Sequence, residues 1–336
     1  MSPIPPEPFV FIPTDISSAR EGAFRSDWQL HALSGKTMGT HWAAKFSTSQ
    51  PVDLHAIEQS IIQSLDTVIS QMSPWENDSD LRRYERAPSD SWLAFRPEAF
   101  HVLQNALSIA QETSGAYDPT FAQAIDLLGF GPSHFSGYSY SSKEVKSAFA
   151  QAGFQSVQLA TETLSVYQPG DLTIDLCSIA KGFAVDLVCQ RLRELGLKNY
   201  LFEIGGEAKG LGCKPDGTPW LYEIELPPDS NVDLPKAQVA LCGLSVATSA
   251  NYLRYAQCGA QVVAHIVSPI QQDEADKILS VSVFHDNCMK ADAYATALYL
   301  QGAKTGLAFA EKRSLAALFQ TKNGFLLSSQ ARQLLA

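Results

Sequence analysis

LTIDLCSIAKGFAVDLVCQRLRELGLKNYLFEIGG, residues 172–206, is the stretch on which the fold turns. It reads as a short strand at 172–176, a helix at 179–195 stopped by Gly196, and a strand at 200–204 that ends in Gly205-Gly206. Sheet and helix therefore alternate, but the neighbouring segments lack the regular strand-helix-strand rhythm of a doubly wound sheet. The fold class expected is α+β, with mixed, largely antiparallel sheets and helices packed on them.

Working outward, residues 41–46 (HWAAKF) suit a strand. Pro51 and Asp53 then introduce a helix with Leu54, Ile57, Ile61, Leu65, Val68 and Met72 at spacings of three and four. A second helix is expected at 97–113, with Pro97 at its first position and Phe100, Leu103, Leu107 and Ala110 on its buried face. Residues 129–142, rich in Gly, Ser and aromatic side chains, read as a long loop or lid ahead of a helix starting near Lys143. Further strands are expected at 220–226, 262–267 and 279–285, the last feeding a helix at 291–300. The Pro-rich residues 1–30 read as an N-terminal arm, with an ordered body from about His31. Residues 31–336 are then expected to form one domain, of two closely packed lobes.

The 336 residues, 45% hydrophobic and 18% charged, suffice for one large core or two medium ones. A formal charge of -10, with no Lys/Arg cluster interleaved with aromatics, argues against nucleic acid as a partner. A nucleotide cofactor stays possible, because helix amino termini and a bound cation hold phosphate without a basic surface. Neither a signal peptide nor a run of 18 apolar residues is found, so the expectation is a cytoplasmic protein with no transmembrane segment. The six cysteines show no C-x-x-C spacing, which predicts neither zinc nor a disulfide framework.

Three constellations carry oxygen or backbone donors. Asp292 and Thr296, four apart in ADAYATALYL, share a helix face and suit a hard cation such as Mg²⁺; the plain alternative is a first-turn acid and a packing threonine. In IDLCSIAKGFAVD, Asp175 closes the strand, Ser178 stands at the helix entry, and Lys181 sits in the first turn. There Lys181 opposes the helix dipole and calls for a compensating anion, unless it snorkels to solvent. GKTMGT (35–40) and IGGEAKG (204–210) permit close backbone approach to a ligand or serve as ordinary turns, and neither is a P-loop or dinucleotide fingerprint. Asp118, before a proline, reads as a turn former, and His265, in an apolar strand, as a structural histidine.

In this order the segments SGKTMGT, MSPW with SDL, SGAYDPT ahead of LLGFGP, IDLCSIAKGFAVD, LFEIGGEAKGLG with DGTPW, SVATSANY, AHIVSP and ADAYATALYLQG resemble the FAD:protein FMN transferase family, the thiamine-biosynthesis-lipoprotein-like flavin transferases. The resemblance runs from Gly35 to about Gly302. It implies a flavin cleft between the two lobes, and Mg²⁺ held by side-chain oxygens of Asp292 and Thr296 with the backbone carbonyl of Ser178. Met38, Trp75, Ala116, Tyr117, Asp118, Asp175, Lys181 and His265 are implied to line the FAD site. Catalytic roles fall to Asp175, Lys181, His265 and Asp292, with the proton acceptor left open between Asp175 and Asp292.

The implied reaction moves FMN from FAD to a Thr or Ser hydroxyl of an acceptor protein and releases AMP. The alternatives are a Mg²⁺-dependent FAD pyrophosphatase and a non-catalytic FAD-binding protein. The chain departs from the family pattern at Cys177-Ser178, where relatives carry a glycine pair. It departs again at HIVSPIQQ, where Ser268, Gln271 and Gln272 replace the more usual residues.

Overall fold

The computed structural model describes residues 7–14, 27–132, 142–226, 235–250, 255–258, 261–264 and 278–336. In chain order the strands are β1 (Phe9–Phe11), β2 (Gln29–Thr37), β3 (Thr40–Thr48), β4 (Ser91–Ala94), β5 (Gln158–Ala160), β6 (Ser165–Gln168), β7 (Tyr200–Ile204) and β8 (Glu207–Leu211). They continue as β9 (Leu221–Ile224), β10 (Ala237–Ala240), β11 (Ser245–Ala250), β12 (Tyr255–Cys258), β13 (Gln261–Ala264), β14 (Ile278–His285), β15 (Ala316–Thr321) and β16 (Gly324–Leu327). The helices are α1 (Leu54–Met72), α2 (Asp80–Glu85), α3 (Pro97–Glu112), α4 (Ala122–Leu127), α5 (Ser142–Gln151), α6 (Ala180–Glu194), α7 (Cys288–Lys312) and α8 (Ser329–Gln333). The fold is α+β, and the strand pairings described are antiparallel except β1 on β10, which is parallel.

The chain divides into two compact units, one of Met1–Leu65, Lys181–Ser249 and Asp273–Ala336, the other of Asp66–Ala180 and Ala250–Gln272. The first contains an eight-stranded sheet in the order β16-β15-β14-β11-β8-β7-β3-β2. Its β2–β3 hairpin turns on Met38 and Gly39, both at positive φ (45° and 71°), as a two-residue turn of the primed type requires. A smaller sheet, β1-β10-β9, lies in the same unit. Phe9, Phe11, Trp220, Val239, Phe284 and Leu327 share one apolar core there.

Helix α7 packs on β14 and β15. Asn287 caps it by accepting the Lys290 N–H at 2.8 Å, and Ala291, Ala293, Ala295 and Ala297 are all fully buried. Residues 291–300 are buried on every side, and the small alanines among them let neighbouring elements approach closely. Gly302 leaves helical geometry (φ 79°, ψ 167°) and kinks it.

In the second unit α3 begins with Pro97 at its first position, and Ala99, Phe100, Val102, Leu103, Ala106, Ile109 and Ala110 are buried. Strands β4, β6 and β5 form a three-stranded sheet, and β12 pairs with β13. Among the described residues no helix is long and apolar enough to cross a membrane. Among the described residues, Cys189 and Cys288 are buried free thiols.

Three expectations are corrected. Order begins well before His31: Phe9 to Phe11 pair with Ala237 to Val239, and Phe11 is wholly buried, which is worth about 2 kcal/mol. The helix expected at 291–300 starts earlier, at Cys288; its first segment ends at the Gly302 break, close to the expected end, and helical geometry resumes beyond it to Lys312. Residues 172–176 form no strand. The backbone there is satisfied piecemeal: the Leu172 N–H donates to Gln168 Oε1 at 3.2 Å, Gln168 Nε2 donates to the Leu172 carbonyl at 3.0 Å, and the Asp175 N–H donates to the Pro119 carbonyl at 2.7 Å. A buried side-chain amide stands where a neighbouring strand would be.

That substitution makes Gln168 costly to remove, since it also donates to the Tyr84 carbonyl at 2.9 Å and accepts the Gly170 N–H at 3.0 Å. Gln168→Ala is expected to destabilise this unit by about 3 kcal/mol, because it strands several buried backbone groups. Hydrogen exchange at the Leu172 amide, together with the denaturant midpoint, checks it; unchanged protection contradicts it.

Candidate active site

The first unit brings Lys181, Gly182, Glu207, Ser249, Asp292 and Thr296 into one polar cluster. Helix α6 opens at Ala180, so Lys181 and Gly182 fall in its first turn. The Gly182 N–H donates to Asp292 Oδ2 at 2.9 Å, satisfying one of the amides that a helix start leaves free. Asp292 is 4% exposed and Thr296 8%, and the Thr296 hydroxyl shares a 2.9 Å hydrogen bond with that of Ser249. Lys181 does not snorkel away. Its Nζ donates to Glu207 Oε1 at 2.5 Å, so Glu207 is the anion that a first-turn lysine calls for.

Glu207 opens β8, directly after the Gly205-Gly206 turn, and is 1% exposed. Among the described residues no donor reaches its Oε2. Burial pushes its carboxyl up to about 7; Lys181 opposes this and Asp292 adds to it. Burial likewise raises Asp292, against the pull of Lys181 and the Gly182 N–H. Two buried carboxylates thus face one ammonium, an excess of negative charge that favours protons or a cation.

The sign of the pH dependence follows. Between the ordinary glutamate value and about 7 the folded chain holds protons that the unfolded chain has released, so stability falls as pH rises through this window. The metal-free protein is therefore expected to show a lower denaturant midpoint at pH 8 than at pH 5.5. Glu207→Gln is expected to flatten the difference, and equal slopes in the two proteins contradict the assignment.

A second clamp fixes the start of α7. Asp186, on α6, accepts Lys209 Nζ at 2.6 Å through Oδ1 and the Met289 N–H at 2.9 Å through Oδ2. The thiol of Cys288 beside it is raised far above the ordinary range by burial and is no nucleophile.

The other residues singled out from sequence are placed as follows. Met38 is half-buried in the β2–β3 turn. In the second unit Trp75 is 50% exposed, an aromatic face open to contact. Asp118 is engaged through both oxygens: Oδ1 accepts the Thr120 N–H at 2.9 Å and hydroxyl at 2.6 Å, and Oδ2 accepts the Phe154 N–H at 3.1 Å. It is the turn former its proline neighbour suggests, here tying two loops together. Ala116 is half-buried and Tyr117 buried just before it. Asp175 accepts the Cys177 N–H at 2.8 Å, and Ser178 is half-buried in the turn that leads into α6. His265, Ser268, Gln271 and Gln272 lie outside the described residues, as does most of the 129–142 loop.

Whether a hard cation fits is a question of donors. Asp292 and Thr296 present oxygen only, and the surplus buried charge suits a divalent ion. Among the described residues no cluster of three or more His, Cys, Asp and Glu is poised to hold a metal. The implied ligand set contains just one such residue, Asp292, its other members being hydroxyl and carbonyl oxygens.

An α+β chain that gathers two carboxylates, two hydroxyls and one ammonium into one cluster presents oxygen donors of the kind a hard cation takes and a positive charge of the kind an anionic ligand meets. A model described as the ApbE family matches residues 38–319. The FAD:protein FMN transferase of Vibrio cholerae is 33% identical over 304 residues, covering 88% of this chain and 89% of that one. That of Haemophilus influenzae is 30% identical over 323 residues, covering 92% of each. The crystal structure of the flavinyl transferase ApbE of Pseudomonas stutzeri superposes with a TM-score of 0.80 at 28% identity, covering 93% of this chain and 99% of that one. The chain belongs to the ApbE family.

Glu207 is the buried acid of this cluster that sequence reading passed over. In GGEAKG it looks like an exposed acid after a turn; the usable signal was the lysine at 181, which needed an anion of unknown address.

Proposed function

We propose that this protein is a Mg²⁺-dependent FAD:protein FMN transferase that places FMN on a Thr or Ser hydroxyl of an acceptor protein. The observation that carries the reading is the buried Asp292/Thr296 oxygen pair beside Lys181, with more carboxylate than ammonium charge around it. Relatives at 30–33% identity that bear the transferase name support it. Asp292 and Thr296, with the Ser178 carbonyl, would hold the ion, which when bound neutralises charge on the diphosphate of FAD.

The acceptor hydroxyl oxygen attacks the phosphorus on the FMN side, the bond from that phosphorus to the AMP oxygen breaks, and AMP leaves. The hydroxyl proton passes to a carboxylate, Asp175 or Asp292. Lys181 meets the diphosphate as a point charge. As the resemblance implies, Met38, Trp75, Ala116, Tyr117, Asp118 and His265 would line the flavin nucleotide, Asp118 while also holding its loop through both oxygens. Positioning and charge neutralisation do the catalysis, without a covalent enzyme intermediate.

The test mixes purified protein, FAD, Mg²⁺ and candidate acceptors, then measures intact acceptor mass and AMP release. An added FMN mass that disappears when the acceptor Thr or Ser becomes Ala supports the reading. Free FMN and AMP without added mass in any acceptor turns it into a pyrophosphatase, and stoichiometric FAD binding without AMP makes it a carrier.

A further inference from the structure

We propose that Glu207 is a positioning residue, whose carboxylate anchors the Lys181 ammonium beside Asp292. The inference deepens the transferase reading and rests on it for what Lys181 meets. Lys181 stands where the positive end of the α6 dipole repels it, on a flexible four-carbon stem with 31% of its side chain exposed. Left alone, such a lysine turns its charge to water.

Glu207 is the opposite kind of residue. Its backbone is fixed by antiparallel pairing of β8 with β7, in register with Ile204, and its side chain is 1% exposed. The 2.5 Å contact from Oε1 to Nζ therefore fixes a mobile cation to a rigid strand. A pair kept for stability alone would satisfy both carboxylate oxygens, yet among the described residues Oε2 has no donor. Burying a half-satisfied acid is costly, and a defined place for the ammonium is what the fold obtains for it.

The experiment has two readouts, one independent of activity. Purified wild type, Glu207→Gln, Glu207→Asp, Lys181→Met and the Lys181→Met/Glu207→Gln double variant are treated briefly with acetic anhydride where they still carry Lys181. Peptide mass spectrometry then compares Lys181 with the exposed Lys236. Lys181 is expected to react about tenfold faster in Glu207→Gln, and at an intermediate rate in Glu207→Asp, which keeps the charge but shortens the reach. In the transfer assay Glu207→Gln is expected to lower kcat about tenfold with little change in KM for FAD, and to add nothing once Lys181 is Met.

Unchanged Lys181 reactivity in Glu207→Gln overturns the anchor. An equal loss in the Lys181→Met background shows that Glu207 acts by another route and overturns it as well. If the reactivity shift appears but wild type flavinylates no acceptor, the anchor stands and the transferase reading falls. Should Glu207→Gln fail to fold, Glu207→Asp carries the same comparison.

Discussion

Asp292→Asn is expected to abolish FMN transfer while leaving the protein folded. The asparagine keeps the shape of the side chain and an oxygen for the Gly182 N–H, which now donates to Oδ2 at 2.9 Å. What it loses is the charge that the proposed Mg²⁺ site requires. Charge stabilisation of several kcal/mol in the transition state corresponds to a loss of roughly a thousandfold.

Stability should move the other way, or not at all. Asp292 is a buried acid raised by its own desolvation, and its charge also raises Glu207. Neutralising it removes a desolvation cost and relieves the part of the upward push on Glu207 that Asp292 supplies, with burial still raising Glu207 and Lys181 still opposing it. Calorimetric titration of Mg²⁺ in the presence of FAD should give no binding, and the melting temperature should be at or above wild type. Wild-type Mg²⁺ affinity in this variant removes Asp292 from the site; a collapsed melting temperature assigns it to the fold instead.

The contrast between what the sequence discloses and what it hides follows from the range of the interactions. Helix α1 was legible because Ile57, Ile61, Leu65, Val68 and Met72 are buried at spacings that repeat within the helix itself. Strand β7 was legible for the same reason, as an apolar run between turn residues. Strand β1 was hidden: three residues show no period, and their partner is β10, far along the chain. Residues 172–176 misled because their apolar alternation is real while the groups that satisfy their backbone are side chains, Gln168 above all.

The candidate site divides in the same way. Asp292 and Thr296 were readable as a same-face pair, and Lys181 as a charge in the wrong place. Glu207 was not readable, because only the turn that starts β8 brings it to Lys181. Asp118 read locally as a turn former, and that part of its character is what the hydrogen bonds display. The general rule is that periodic and local signals survive in the sequence, whereas charge pairs between distant segments wait for the topology.

Gly182→Ala is expected to be the most destabilising single-methyl addition in the site. On intrinsic propensity alone alanine would stabilise helix α6, by about 1 kcal/mol over glycine. The packing reverses the sign. A Cβ at position 182 would stand 2.3 Å from the Cys288 carbonyl oxygen and 2.8 Å from Asp292 Cβ, distances no relaxed contact allows. Neither neighbour is the free end of a flexible side chain, so relief requires α7 itself to move. That helix has little slack: Asn287 caps it, and Asp186 holds the Met289 N–H from α6 while gripping Lys209 on β8. Forcing the helices apart also lengthens the Gly182 N–H to Asp292 bond and shifts the carboxylate away from Thr296 and Ser249. A cost of about 3 kcal/mol follows from overpacking together with the lost buried hydrogen bond. The denaturant midpoint measures the first effect, and Mg²⁺ titration on whatever fraction remains folded measures the second. A variant as stable as wild type, with unchanged metal affinity, would show that α6 and α7 separate freely, and the account of the site as a rigidly clamped helix pair would be wrong.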